Sequence, residues 1–90
     1  MVLVTPELDS VNPTALHPTN FEEAYLGYGQ QWGMERAVAI YDSEKVVEIL
    51  MERDGMTHEE AWEFFEFNVA DAYVGADTPI FLRRETTQII

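Results

Sequence analysis

Carboxylates are the side chains of this sequence that could most readily do chemistry. Residues 54–77 contain seven acidic residues and no lysine or arginine. Three glutamates follow His58 at helical spacing: Glu59, Glu63 and Glu66. A zinc helix of the His-Glu-x-x-His type needs a second histidine four residues after the first, and Trp62 occupies that position. No window fits an EF-hand loop. We therefore expect a solvated helix face with no metal site and no cofactor.

The residues that could act in nucleophilic catalysis lack the surroundings that they need. The two serines, Ser10 and Ser43, lie outside any Gly-x-Ser-x-Gly motif. His17 lies in a proline-rich segment, where a rigid catalytic geometry is not expected, and we expect His58 to be exposed. We predict a protein that is not an enzyme and acts by binding another macromolecule. The alternative is a small enzyme that combines carboxylates of the second and third predicted helices with His58, which would then converge in one pocket.

Composition restricts the class of protein. Ninety residues with 47% hydrophobic and 12% aromatic side chains are enough for one globular domain and unlike a disordered acidic tail. The absence of cysteine favours a reducing, cytoplasmic setting. The N-terminus lacks the features of a signal peptide, and no stretch approaches the roughly 20 apolar residues that a membrane span requires.

The net charge restricts the partner. Seventeen acidic residues against five basic ones give a formal charge of -12. Direct binding to nucleic acid or to anionic membranes is disfavoured, because such binding depends on Lys and Arg. A partner protein with a basic surface would be attracted by the field of this domain. The same acidity could also serve only to keep the protein soluble.

The sequence changes character at residue 20, from a proline-rich segment to an aromatic one. Pro6, Pro13 and Pro18 exclude a long helix before that point, so we expect an edge strand at residues 2–4 and otherwise a loop or loosely attached arm. Residues 21–32 carry four aromatic side chains at helical spacing, which predicts a first helix with Asn20 as N-cap.

The later elements are marked by capping and turn residues. Asp42 or Ser43 is expected to begin a helix that ends at Gly55, and Thr57 with Glu60 forms a capping-box pattern. We expect a strand at 35–41, a helix at 43–53, a helix at 57–74 and a strand at 78–82. This order predicts an α+β domain over residues 21–82, in which a small sheet of about two or three strands packs against about three helices. Residues 83–90 form a tail or extend the last strand.

The third predicted helix carries the candidate binding surface. Trp62 and Phe65 are expected in the core against the strand at 35–41. Asn68 falls at the angle of the apolar face, which predicts a structural clamp bonded to the backbone of a neighbouring loop. Phe67 falls on the acidic side, either covered by a chain terminus or exposed as a binding anchor. The predicted partner-binding residues are Glu59, Glu60, Glu63, Glu66, Phe67 and Asp71.

A series of short motifs lies along several of these elements, each at one position in the chain. They are Phe21-Glu22-Glu23-Ala24, Gly27, Tyr41-Asp42, Lys45, Glu48-Ile49-Leu50, Asp54-Gly55-Met56, Glu59-Glu60-Ala61, Phe65-Glu66-Phe67-Asn68, Ala72-Tyr73, Gly75 and Thr78-Pro79. The pattern, over about residues 21–82, resembles a set of small hypothetical proteins of tailed phages. The resemblance implies a viral protein in the host cytoplasm and transfers no catalytic residues.

A phage setting suggests by analogy what such a protein does. Small acidic phage proteins often block host enzymes, as anti-CRISPR and anti-restriction proteins do by occupying nucleic-acid sites. We therefore expect an inhibitor or modulator of a host protein, whose carboxylate row could imitate the phosphates of DNA. A structural phage component that assembles as a homo-oligomer is the remaining alternative.

Overall fold

The computed structural model describes residues 3–30, 36–70, 75–85 and 89, and this part of the chain confirms the α+β class. Its helices and its one mixed sheet follow the order α1 Pro6–Val11, β1 Tyr25–Gly29, β2 Val38–Asp42, α2 Ser43–Asp54, α3 His58–Phe65 and β3 Ile80–Leu82. A 3₁₀ turn, Glu22–Ala24, precedes β1, and α3 continues as a π-helical turn, Glu66–Ala70.

The strands occupy the sheet in the order β1-β2-β3. β1 and β2 are antiparallel, with a bulge between Tyr25 and Gly27, whereas β2 and β3 are parallel. A parallel pair needs a long crossover connection, and α2 and α3 lie in the one that joins β2 to β3. The strands predicted at 35–41 and 78–82 are confirmed in the parts that form β2 and β3. Residue 35 lies outside the described residues.

The helix predicted at residues 21–32 is wrong, because Glu22–Ala24 forms a 3₁₀ turn and Tyr25–Gly29 forms β1. Asn20, the expected N-cap, has a φ of 70°, and Gly27 has a φ of 153°, which is not a helical angle. Aromatic side chains favour strands as well as helical stripes, and pairing with β2 decides between the two. Trp32 lies outside the described residues.

Local capping signals predict α2 and α3 well. The side chain of Asp42 accepts a hydrogen bond from the backbone of Glu44, and Gly55 ends α2 in the left-handed conformation. Thr57 and Glu60 form the expected capping box of α3. The α-helical geometry ends at Phe65, earlier than the expected residue 74, and residues 71–74 lie outside the described part.

The N-terminal segment is packed against the domain, contrary to the expectation of a loop or loose arm. Pro6 takes the first position of α1, where its missing N–H costs nothing, and Leu8 is buried in the core. Leu3 and Val4 form no strand, and residue 2 lies outside the described part.

Phe65 is a central residue of the core, as predicted. It is fully buried, and its ring makes edge contacts with Trp62 and with Phe81 of β3 at centroid distances of 5.6 and 5.3 Å. Trp62 is only partly buried, so its predicted burial is confirmed in part. Phe64, the preceding residue of α3, is 38% exposed.

Candidate protein-binding surface

An apolar groove with acidic walls runs along α3. Glu60 lies three and four positions before Glu63 and Phe64, so these three residues share one face of α3, and the flanking segments extend the surface on both sides. The groove has a volume of about 320 Å³ and is lined by Met56, Glu60, Glu63, Phe64, Phe67 and Asn68. We call this surface the Phe67 groove. Phe67 is 72% exposed, so neither terminus in the described part of the chain covers it, and the ring stands among carboxylates.

The carboxylates of the Phe67 groove have different surroundings. Glu60 accepts a hydrogen bond from the backbone N–H of Thr57 at 2.9 Å, and this bond lowers the pKa of the carboxyl below its ordinary value. Glu60 is therefore anionic at neutral pH and held in place by the capping box. Glu63 is exposed on the same face, and Glu59 is exposed in the first turn of α3.

Glu66 differs from the other predicted contact residues, because it already has a cationic partner. Arg83 contacts its two carboxylate oxygens at 2.6 and 3.2 Å, and these bonds lower the pKa of Glu66. The same guanidinium lies 5.4 Å from the centre of the Phe65 ring. Arg83 thus ties the segment after β3 to α3. Asp71, the last predicted contact residue, lies outside the described residues.

Asn68 does not form the predicted clamp. Its side chain is exposed, and among the described residues Nδ2 donates to the carbonyl of Phe64 in its own helix, at 3.3 Å. The prediction used the angular period of an α-helix, but the turn Glu66–Ala70 is π-helical. A π turn is wider than an α turn, so it rotates Asn68 out of the expected direction.

Asn12 forms a clamp of the kind that was expected of Asn68. It is 4% exposed, and its Nδ2 donates to the carbonyl of Ala37 at 2.7 Å and to Asp77 at 3.0 Å. Its Oδ1 accepts from the backbone and hydroxyl of Thr14. Sequence reasoning missed this residue, although the Asn-Pro dipeptide is a turn signal.

Asp77 is the charged member of this cluster. Hydrogen bonds from Asn12, and then from Arg36 and Thr14, lower the pKa of its carboxyl. Arg36 reaches it with an ion pair of 3.0 Å. Three segments that are distant in sequence therefore meet at the carboxylate of Asp77.

Two of the residues weighed for catalysis, His58 and Ser43, take part in side-chain hydrogen bonds. Trp62 Nε1 donates to His58 Nε2 at 3.0 Å, and the hydroxyl of Ser43 donates to the carbonyl of Leu82 at 2.7 Å. Within the described ranges, no group of three or more His, Asp or Glu side chains is arranged to hold a metal ion.

His17 has a fixed geometry, unlike the expectation for a proline-rich arm. Its Nδ1 lies 2.7 Å from the hydroxyl of Tyr41, and its ring makes edge contacts with Tyr25 and Tyr41. Burial raises the pKa of Tyr41 to about 12, so the phenol keeps its proton at neutral pH.

Comparison with protein-family models, with curated proteins and with solved structures gives no significant match. In the described part of the chain, no helix is long and apolar enough to cross a membrane. The resemblance to tailed-phage proteins therefore stays a prediction.

Proposed function

We propose that this protein is a non-enzymatic inhibitor or modulator that binds a basic surface of a host protein through the Phe67 groove. The observation that carries the proposal is the exposure of Phe67, 72% of its surface, in a groove with Glu60 and Glu63. An aromatic side chain surrounded by polar residues is the usual form of a binding hot spot.

The net charge of the protein also favours a partner with a basic surface. The acidic wall of the groove contributes to a net charge of -12, which favours the approach of a positively charged surface and increases the association rate. Arg83 is the cation beside the groove, and Glu66 already pairs with it. Glu60 and Glu63 therefore supply the negative charge that a Lys or Arg side chain of the partner would meet.

The phage resemblance directs the proposal to host defence. A basic surface that normally binds nucleic acid fits an acidic groove, because both the groove and a phosphate backbone offer spaced negative charges. We propose an anti-defence role, of which anti-CRISPR activity is one form, with the acidic face in the position of the nucleic acid.

Capture from a bacterial host lysate tests the proposal. The parent protein and Phe67→Ala are each immobilised, and bound proteins are identified by mass spectrometry. We expect the parent to retain a specific basic protein and Phe67→Ala to lose most of it, since truncation of an aromatic hot spot costs about 2 kcal/mol or more.

Val4→Ala is the matched control, because Val4 is an apolar residue with 73% exposure that does not line the groove. Val4→Ala should capture the partner as the parent does. Equal yields from the parent and Phe67→Ala would contradict the proposal.

A further inference from the structure

A second cavity lies beside His17, on the other side of Asn68 from the Phe67 groove. It has a volume of about 330 Å³, and its walls include Leu16, His17, Phe21, Asn68, Val69 and Phe81. This volume lies at the lower end of the range of ligand pockets, roughly 300–1,000 Å³. At about 30 Å³ for each water-sized group, it holds about ten non-hydrogen atoms.

The cavity wall has a hydrogen-bonding group with a fixed direction. The phenol of Tyr41 is fully buried, and a buried hydroxyl needs a partner. Its partner is Nδ1 of His17, at 2.7 Å. When the phenol donates to Nδ1, the neutral imidazole carries its own hydrogen on Nε2. The ring makes edge contacts with Tyr25 and Tyr41 and lines the cavity, and in this tautomer Nε2–H is the ring donor that Tyr41 does not engage.

The opposite wall comes from the π-helical turn. Asn68 and Val69 belong to both this turn and the cavity wall. A π turn gives up regular α-helical hydrogen bonding, and such turns occur frequently at functional sites. Here the turn places the apolar side chain of Val69, which packs against the core, across from the loop that carries His17.

We propose that this cavity binds a small, neutral, mainly apolar molecule with one hydrogen-bond acceptor, which accepts a hydrogen bond from His17 Nε2–H. The apolar walls contributed by Leu16, Phe21, Val69 and Phe81 select an apolar body. No lysine or arginine lines the cavity, and the net charge of -12 repels an anion, so the acceptor is a neutral oxygen such as that of a ketone. This site is separate from the proposed protein-binding function.

Two probes of equal size test the hydrogen bond. Acetophenone carries a carbonyl oxygen, and isopropylbenzene has the same body without an acceptor. Titrations are followed by NMR of the ¹⁵N-labelled imidazole of His17. We expect both probes to bind saturably. The ketone should bind about fivefold more tightly, because one neutral hydrogen bond contributes about that much, and it should shift the Nε2 signal. Non-saturating titrations, or equal affinities for the two probes, would overturn the proposal.

A variant that fills the cavity tests the location. Leu16 lines the cavity and is 41% exposed, so Leu16→Trp should fill the cavity without breaking the core and should abolish saturable binding. Leu26→Trp is the matched control, since Leu26 is 49% exposed on β1, and it should bind acetophenone as the parent does. Retained binding in Leu16→Trp, or loss in both variants, would place the ligand elsewhere and refute the assignment.

Discussion

At the scale of single residues, the two asparagines Asn12 and Asn68 give a sharp test of the structure. Asn12 is buried and bonded to Ala37 and Asp77. Asn12→Ala leaves a buried carbonyl without its donor, so we expect the free energy of unfolding to fall by about 1–3 kcal/mol. Urea denaturation measures this change.

Asn68→Ala is the control for that measurement. Its amide is exposed and bonds to the carbonyl of Phe64 in its own helix, so the free energy of unfolding should change by less than about 0.5 kcal/mol. A larger loss for Asn68→Ala than for Asn12→Ala would reverse the roles that the structure gives to the two residues.

The roles of these residues could be predicted only in part from the sequence. The shared face of Glu60 and Glu63 follows from helical spacing, which is a local property. The clamp at Asn12 depends on Asp77, 65 positions away, and nothing local indicates that pairing. The direction of Asn68 depends on a π turn that the residue pattern did not reveal.

At the scale of elements, Gly27 distinguishes the observed strand from the helix that the aromatic spacing predicts. In a helix, Gly27→Ala would stabilise the protein by about 1 kcal/mol. In β1 the residue has a φ of 153°, and a Cβ added there would meet open space. The cost of an alanine would therefore come from backbone strain and not from a steric clash. We expect Gly27→Ala to destabilise by about 1–3 kcal/mol, and a rise in melting temperature would contradict the strand.

Phe65 tests the packing of α3 on the sheet. Its ring is fully buried between Trp62 and Phe81, so Phe65→Ala should cost about 3–5 kcal/mol in chemical denaturation. Phe64→Ala, one position away and partly exposed, should cost clearly less. A loss under about 1 kcal/mol for Phe65→Ala would show that α3 packs through another face.

Helix ends were predictable because their causes lie within a few residues. The capping box of Thr57 and Glu60 and the left-handed Gly55 are decided by neighbours along the chain. The prediction of a helix at 21–32 was wrong because aromatic side chains favour strands as well as helical stripes. Pairing between β1 and β2, a contact between distant segments, decides the outcome, and single-sequence periodicity does not contain it.

At the scale of the whole molecule, the net charge of -12 predicts how binding responds to salt. Between about 0.1 M and 1 M salt, the screening length falls from about 10 Å to about 3 Å. We expect the affinity for the captured partner to fall by about tenfold or more over that range, as measured by calorimetry. A complex with the same affinity at both concentrations would show that carboxylates do not direct the association.

The most direct test of the central claim is a map of the surface that the partner covers. The chain has four methionines, of which Met56 lines the Phe67 groove and Met51 packs against the core. With ¹³C-methyl methionine, addition of the captured partner should shift or broaden the Met56 signal well beyond that of Met51. A saturated complex in which the Met56 signal is unchanged would contradict binding through the Phe67 groove.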